Sequence, residues 1–374
     1  MNFEMQWALV PKLVLSLGGV LFISLTVTWV ILYYVRLLDQ PNERSSHDLA
    51  TPKCGGVGIV SSFLMGIIVA PVWYGKGLTG NGLPYSLVLP LFFVSLVSLG
   101  DDIRELSPYL RLSVQVVASL AFLGMVGIFS GGAFQGFLGF FLMLGAGAVS
   151  LVWLVGMANL YNFMDGIDGI AAGQGLVVAM FFALVQYIQG DAVVAYLALV
   201  LATGCLGFLA FNFPPAKVFM GDVGSVSIGF ILACLGLMAL VRHPSWESLL
   251  LMPLLTANFI FDGSYTLLKR IWRGENILEP HRSHLYQRFS QSGFSQRTVS
   301  MTNYGLAIIQ GMLVLLNLEA PGKALGGVVV TLCCYYILVE KVEKRWRRQQ
   351  RVTAAAAAEG RTNVIYYRRK SSPK

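Results

Sequence analysis

Apolar runs of about twenty residues recur from one end of this chain to the other, separated by short polar connections, and a soluble fold cannot bury that pattern. A helix rises about 1.5 Å per residue, so about 20 residues cross a hydrocarbon layer about 30 Å thick. The runs are continuous rather than alternating, which excludes the roughly ten-residue strands of a membrane β-barrel. They read as spans at 7–35, 55–74, 82–100, 111–130, 134–157, 169–188, 191–211, 223–241, 247–268, 302–318 and 321–340. The first is too long for a signal-peptide core and reads as a retained helix. The predicted fold is therefore an all-α integral membrane protein, a bundle of about 11 transmembrane helices. One domain covers 1–340, and a basic, low-complexity tail over 341–374 is expected to lie disordered on anionic headgroups.

Only 12% of the residues are charged and 56% are hydrophobic, against about 25% charged in a soluble domain. The formal charge of +8 does not signal nucleic acid, because the basic residues flank spans, where topology and lipid headgroups account for them. Arg36, Arg44, Lys53, Arg104, Arg111, Lys217 and the basic residues from Lys269 to Arg297 follow odd-numbered spans, as does the tail; Lys12, Lys76, Arg242 and Lys323 lie on the other side. The positive-inside rule then puts the N-terminus outside and the C-terminus in the cytoplasm. The cysteines show no Cys-x-x-Cys spacing, so neither a zinc site nor a disulfide framework follows.

The polar clusters fall on the side that the basic count makes cytoplasmic. They are Asp101-Asp102 after the third span, Asn159-x-x-Asn162-x-x-Asp165-Gly-x-Asp168-Gly after the fifth, Asn212 to Ser225 after the seventh and His281-Arg282-Ser283-His284 after the ninth. Carboxylates brought together repel by about 1 kcal/mol per pair at 4 Å in water and about 4 at an effective dielectric of 20. A cation must offset that, and oxygen donors beside phosphate favour Mg²⁺, with Mn²⁺ as the alternative. Asp165 and Asp168, three apart, would share one face of a helix, with Asn159 and Asn162 suited to a base or ribose. Phe219, beside Asp222, offers a stacking platform. His281, Arg282 and His284 suit phosphate, and Lys53 adds a cation. His47 and His243 read as structural.

Together these motifs, over about Asp39 to Gln287, resemble the polyprenyl-phosphate N-acetylhexosamine-1-phosphate transferase family. The resemblance implies transfer of a sugar-1-phosphate from a UDP-N-acetylhexosamine donor to a polyprenyl-phosphate acceptor, with release of UMP, at a bacterial inner membrane. It implies Asp101 and Asp102 as catalytic residues, Asp222 with Asp102 toward Mg²⁺, and Lys53, Asn159, Asn162, Asp165, Asp168, Asn212, Phe219, His281, Arg282 and His284 toward nucleotide and phosphate. Asp102 is base or nucleophile; both stay open. The peptidoglycan branch carries consecutive histidines, whereas His281-Arg282-Ser283-His284 looks like the O-antigen-initiating branch. Partners are the donor, the acceptor and membrane lipids, with no nucleic acid and a homodimer left open. The rival is a secondary transporter, whose acids belong at span centres rather than at span ends on one side.

Overall fold

The computed structural model describes residues 3–35, 37–39, 50–74, 80–127, 136–276 and 282–358. Arg36, Arg44, His47, Lys76 and His281 fall outside them. Thirteen α-helices follow in order: α1 Phe3–Tyr34, α2 Val57–Tyr74, α3 Val88–Ile103, α4 Pro108–Val126, α5 Gly136–Met164, α6 Ile170–Ile188, α7 Ala192–Asn212, α8 Asp222–Arg242, α9 Trp246–Leu255, α10 Ala257–Trp272, α11 Leu285–Gln291, α12 Gln296–Leu316 and α13 Pro321–Ala358. Two-residue strands β1 (Leu38–Asp39) and β2 (Thr51–Pro52) pair antiparallel beside them.

Among the described residues nine helices are long and apolar enough to cross a membrane, and Val57–Val69 and Trp246–Leu255 are shorter apolar helices. The chain is an all-α membrane protein. Local chemistry sets the breaks. Ser107 caps α4 by accepting from Leu110 N–H at 3.2 Å, with Pro108 in the first turn. Gly190, at φ 83°, turns α6 into α7, where the Asp191 side chain accepts from Val194 N–H. Asp191 is fully buried and pairs with Arg242, with His243 Nε2 3.6 Å away.

Two expected elements differ. The span read as 247–268 is two helices, α9 and α10, broken at Thr256 just after Pro253, where a missing backbone donor weakens the helix. The last helix does not stop at 340 but runs to Ala358, so residues 341–358 of the expected disordered tail are helical.

Helix α8 is the axis of the bundle: 94% of its apolar window is buried, against 22% for α1. It packs on α2, α3, α5, α6, α7 and α9. The outer helices turn Phe22, Val117, Val149 and Val152 outward, as a lipid-facing surface requires. The N-terminus of α8 is locked to the segment before α2. Phe219 N–H donates to Pro52 O at 2.8 Å, and Gly55 and Gly56 N–H donate to Phe219 O and Met220 O, each at 2.9 Å. A Cβ on Gly56 would lie 2.3 Å from Gly224 Cα and 2.5 Å from Gly224 N. Backbone cannot yield as a side-chain tip does, so Gly56→Ala is expected to cost about 1–3 kcal/mol. Thermal denaturation in detergent should show a clearly lowered apparent melting temperature.

Candidate active site

The site is built around the first turn of α8, whose leading N–H groups have no partner within their own helix. Asp102, on the last turn of α3, supplies it: Oδ1 accepts from Asp222 N–H at 2.9 Å and Oδ2 from Val223 N–H at 3.0 Å. A carboxylate at a helix C-terminus is disfavoured by the macrodipole, and here the N-terminal dipole of α8 acts in the opposite sense. Gly221, at φ 74°, permits the approach, since a Cβ there would lie 2.6 Å from Asp102 Oδ2. Each oxygen of Asp102 keeps a lone pair for a further partner.

Asp101 is held differently, accepting from Leu106 N–H at 2.6 Å and from Arg111 at 2.5 Å. The same Arg111 nitrogen reaches Asp222 Oδ2 at 3.2 Å, so one guanidinium bridges α3, α4 and α8. Asn162, in the last turns of α5, donates to Asp222 Oδ2 at 3.2 Å and accepts from the Ser225 hydroxyl at 3.1 Å, which fixes its amide orientation. The Asp222 side chain remains 26% exposed. Asn159, one turn earlier, donates to Gln115 and to Val155 O, tying α5 to α4.

Asp165 and Asp168 do not share a helix face. The chain leaves α5 at Met164 and, through Gly169 at φ 75°, starts α6 at Ile170, so both acids lie in the turn between the helices. Asp168 accepts from Ala216 N–H at 2.9 Å, and its own N–H donates to Gln296. Asn212 is buried, accepting from Gly169 N–H and donating to Val218 O, which makes it the strut between this turn and the 212–221 loop. Asp165 is partly buried, and among the described residues no donor reaches its carboxylate. Burial, followed by the charges of Asp222, Asp102 and Asp168, pushes its carboxyl well above the usual range.

That shift has a thermodynamic sign. A carboxyl raised in the fold costs stability above its unfolded pKa of about 3.9, and the cost grows as pH rises toward the folded value. In buffer free of divalent cations, Asp165→Asn is therefore expected to raise the apparent melting temperature at neutral pH by a few degrees, with the gain vanishing below about pH 4. A melting series across pH checks it.

Lys53, partly buried, is close enough to interact electrostatically with Asp102. Its neighbour Cys54, at φ 72°, is buried, and desolvation with the nearby acids pushes its thiol up to about 12, so it is no nucleophile at neutral pH. Phe219 is half-buried in the strip that joins the Lys53 segment to α8.

The last component is the loop before α11. Arg282 is half-buried, and one of its terminal nitrogens is buried without a hydrogen-bond partner among the described residues. His284 is buried rather than presented on the surface, with Nδ1 3.1 Å from Asp262 Oδ1 and its ring stacked on Tyr286. Asp262 also accepts from Leu285 N–H at 2.8 Å and Tyr286 N–H at 3.0 Å. The Tyr286 hydroxyl donates to Phe163 O at 3.1 Å, and a Cβ on Gly166 would lie 2.2 Å from it. The loop is thus seated on the turn that carries Asp165.

Asp262 and Arg111 belong to none of the sequence motifs. A lone acid within an apolar span marks a functional position, and Asp262 carried that signal. In the sequence Arg111 is one of the basic residues that flank the spans.

Among the described residues no three Asp, Glu, His or Cys side chains gather closely enough to hold a metal ion by themselves. Mg²⁺ normally takes one or two carboxylates and completes its shell with water and substrate phosphate. Asp222, partly exposed, and Asp165, without a donor, are hard oxygen groups that fit it.

The sequence model described as Glycosyl transferase family 4 matches residues 84–240, which include Asp101, Asp102, Asp165, Asp168 and Asp222. A probable undecaprenyl-phosphate N-acetylglucosaminyl 1-phosphate transferase of Bacillus subtilis (strain 168) is 27% identical over 82% of this chain and 84% of its own length. A phospho-N-acetylmuramoyl-pentapeptide-transferase of Streptococcus pneumoniae (strain CGSP14) is 31% identical over 71% of this chain and 83% of its own. A decaprenyl-phosphate N-acetylglucosaminephosphotransferase of Mycobacterium leprae (strain TN) is 30% identical over 71% and 72%. With similarity extending over most of both partners and over the helix ends that build the site, the chain belongs to glycosyl transferase family 4, the polyprenyl-phosphate N-acetylhexosamine-1-phosphate transferases that its motifs resemble.

Proposed function

We propose that the protein transfers N-acetylhexosamine-1-phosphate from a UDP-sugar to undecaprenyl or another polyprenyl phosphate, releasing UMP and starting a lipid-linked cell-envelope glycan. The observation that carries this reading is the convergence of Asp101, Asp102, Asn162 and Asp222 with Arg111 at the first turn of α8. Acids and cations are thereby concentrated at one end of a membrane bundle, where a lipid phosphate and a soluble nucleotide can meet. The relatives named above support the same acceptor class.

The reaction joins two anions, and the acceptor phosphate is already largely ionised near neutrality, its second pKa being about 6. Charge neutralisation and alignment therefore matter more than proton removal. Asp222 and Asp165 would hold Mg²⁺, with Asp102 beside them; bound there, the ion would neutralise charge on the donor diphosphate. Arg111 orients Asp222, Lys53 with Arg282 supplies positive charge to the phosphates, and His284 stands beside them. Asn159, Asn162 and Phe219 belong to the nucleotide side of the site. Asp102 stands as base or as nucleophile toward the acceptor.

The site faces the cytoplasm in this reading, because the basic residues concentrate at its end of the bundle. With α2 and the α9–α10 pair counted as crossings the number of spans is odd, which supports a periplasmic N-terminus and a cytoplasmic C-terminus at a bacterial inner membrane. The donor is a UDP-N-acetylhexosamine such as the N-acetylglucosamine, N-acetylfucosamine or N-acetylquinovosamine derivative, and the product primes an O-antigen or a related polysaccharide. UMP release by the purified protein should be measured with polyprenyl phosphate, Mg²⁺ and these donors beside UDP-N-acetylmuramoyl-pentapeptide. Lipid-dependent release from one of the first three is expected. Release from the pentapeptide donor alone would move the protein to the peptidoglycan branch.

A further inference from the structure

The charged end of α13 lies beyond the residues matched by the family model, and composition makes it look like a loose basic tail. Its burial pattern says otherwise. Leu332, Tyr335 and Val339 are buried and Val342 packs on the core, after which Glu343 and Trp346 continue the same helical stripe half-buried. Lys341, Lys344, Arg345, Arg347 and Arg348 face away and are exposed. The two faces of this segment therefore do different things.

The inner face grips α11. Arg288 Nε donates to Glu343 at 2.9 Å, and Arg288 Nη2 donates to Glu340 at 2.6 Å and also to Glu343. The three side chains are only 12%, 22% and 13% exposed for Arg288, Glu340 and Glu343, so the pairing is poorly screened. The Trp346 ring lies on the turn that ends α11, where a Cβ on Gly293 would come within 2.7 Å of it. Arg288 stands one turn after His284, and its N–H donates to His284 O at 2.9 Å. Helix α11 is thus pinned at its start by Asp262 and on its outer side by α13.

We propose that Glu340, Glu343 and Trp346 of α13 are positioning residues for the donor: through Arg288 and Gly293 they hold α11, and so hold Arg282 and His284 where the donor diphosphate binds. This rests on the assignment of Arg282 and His284 to phosphate made above. A link of this kind sets binding of the donor and leaves the chemical step at Asp102 and Asp222 unchanged.

The test uses the full-length protein in detergent and reads two quantities, amide hydrogen exchange over residues 284–291 and the donor KM and kcat for UMP release. Arg288→Gln and the double variant Glu340→Gln/Glu343→Gln are expected to speed exchange about tenfold or more. They should also raise donor KM about five- to thirtyfold with kcat within about twofold. Combining all three substitutions should be no worse than Arg288→Gln alone, because one link is broken either way. Arg347 and Lys344 still pair with Glu343 and Glu340 when Arg288 is changed, so no glutamate is stranded. Trp346→Ala keeps the ion pairs and serves as the second variant should Arg288→Gln not fold; it should shift both readouts in the same direction. Unchanged exchange overturns the proposal, as does a fall in kcat at constant KM. A wild type that releases no UMP defeats the donor assignment instead, and exchange still decides whether α13 holds α11.

Discussion

Asp222→Asn is expected to lower UMP release by about a thousandfold or more while leaving the fold intact. Among the described residues the Asp222 carboxylate accepts from the Arg111 and Asn162 side chains and from no backbone N–H. An amide at that position keeps one acceptor oxygen for these two donors, so the helices stay in place. What it loses is the negative charge proposed to hold Mg²⁺. Asp102→Asn is the instructive contrast, since there both oxygens accept from the first N–H groups of α8. An amide NH₂ would face one of those donors, at a cost of about 1–3 kcal/mol. Both variants are inactive in this account, but only Asp102→Asn melts early. Activity assays beside melting curves separate them, and an Asp222→Asn protein retaining a tenth of wild-type turnover would remove Asp222 from the cation site.

The second large effect falls on Asp262, far in sequence from the acidic motifs. Its carboxylate collects Leu285 N–H, Tyr286 N–H and His284 Nδ1 inside the bundle. Asp262→Ala strands all three, and with about 1–3 kcal/mol for each buried donor left unpaired the loss is at least about 3 kcal/mol. A protein near the usual margin of stability then loses most of it. Asp262→Asn retains one acceptor and is expected to fold with a raised donor KM. Thermal denaturation with steady-state kinetics checks the pair; wild-type stability in Asp262→Ala would mean that the loop is held by other contacts.

The spans were legible because continuous apolar runs of membrane length have one solution. The break at Thr256 was not, because threonine is unremarkable in a helix and Pro253 signals weakening without its exact place. The helical end of α13 was hidden by its charge: residues 339, 342, 343 and 346 keep the helical stripe, while the lysines and arginines between them dominate the composition. At the site, residue types were readable and their partners were not. Asp102 looks like a free acid until α8, more than a hundred residues later, arrives with two N–H groups. Asp165 and Asp168 look like a helical pair until Gly169 turns the chain between α5 and α6. Asn212 looks like a ligand group until its amide is found bonded to Gly169 and Val218. His281, expected beside the donor phosphate, lies outside the described residues.

The central claim is that the bond broken in the donor lies between its two phosphorus atoms and not at the sugar carbon. It is tested most directly by supplying a UDP-N-acetylhexosamine labelled with ³²P at the β-phosphorus, together with polyprenyl phosphate, and separating lipid from water. The account predicts lipid-borne label and unlabelled UMP in the aqueous phase. Label left in aqueous UDP, with sugar on the lipid, would show glycosyl transfer and contradict it.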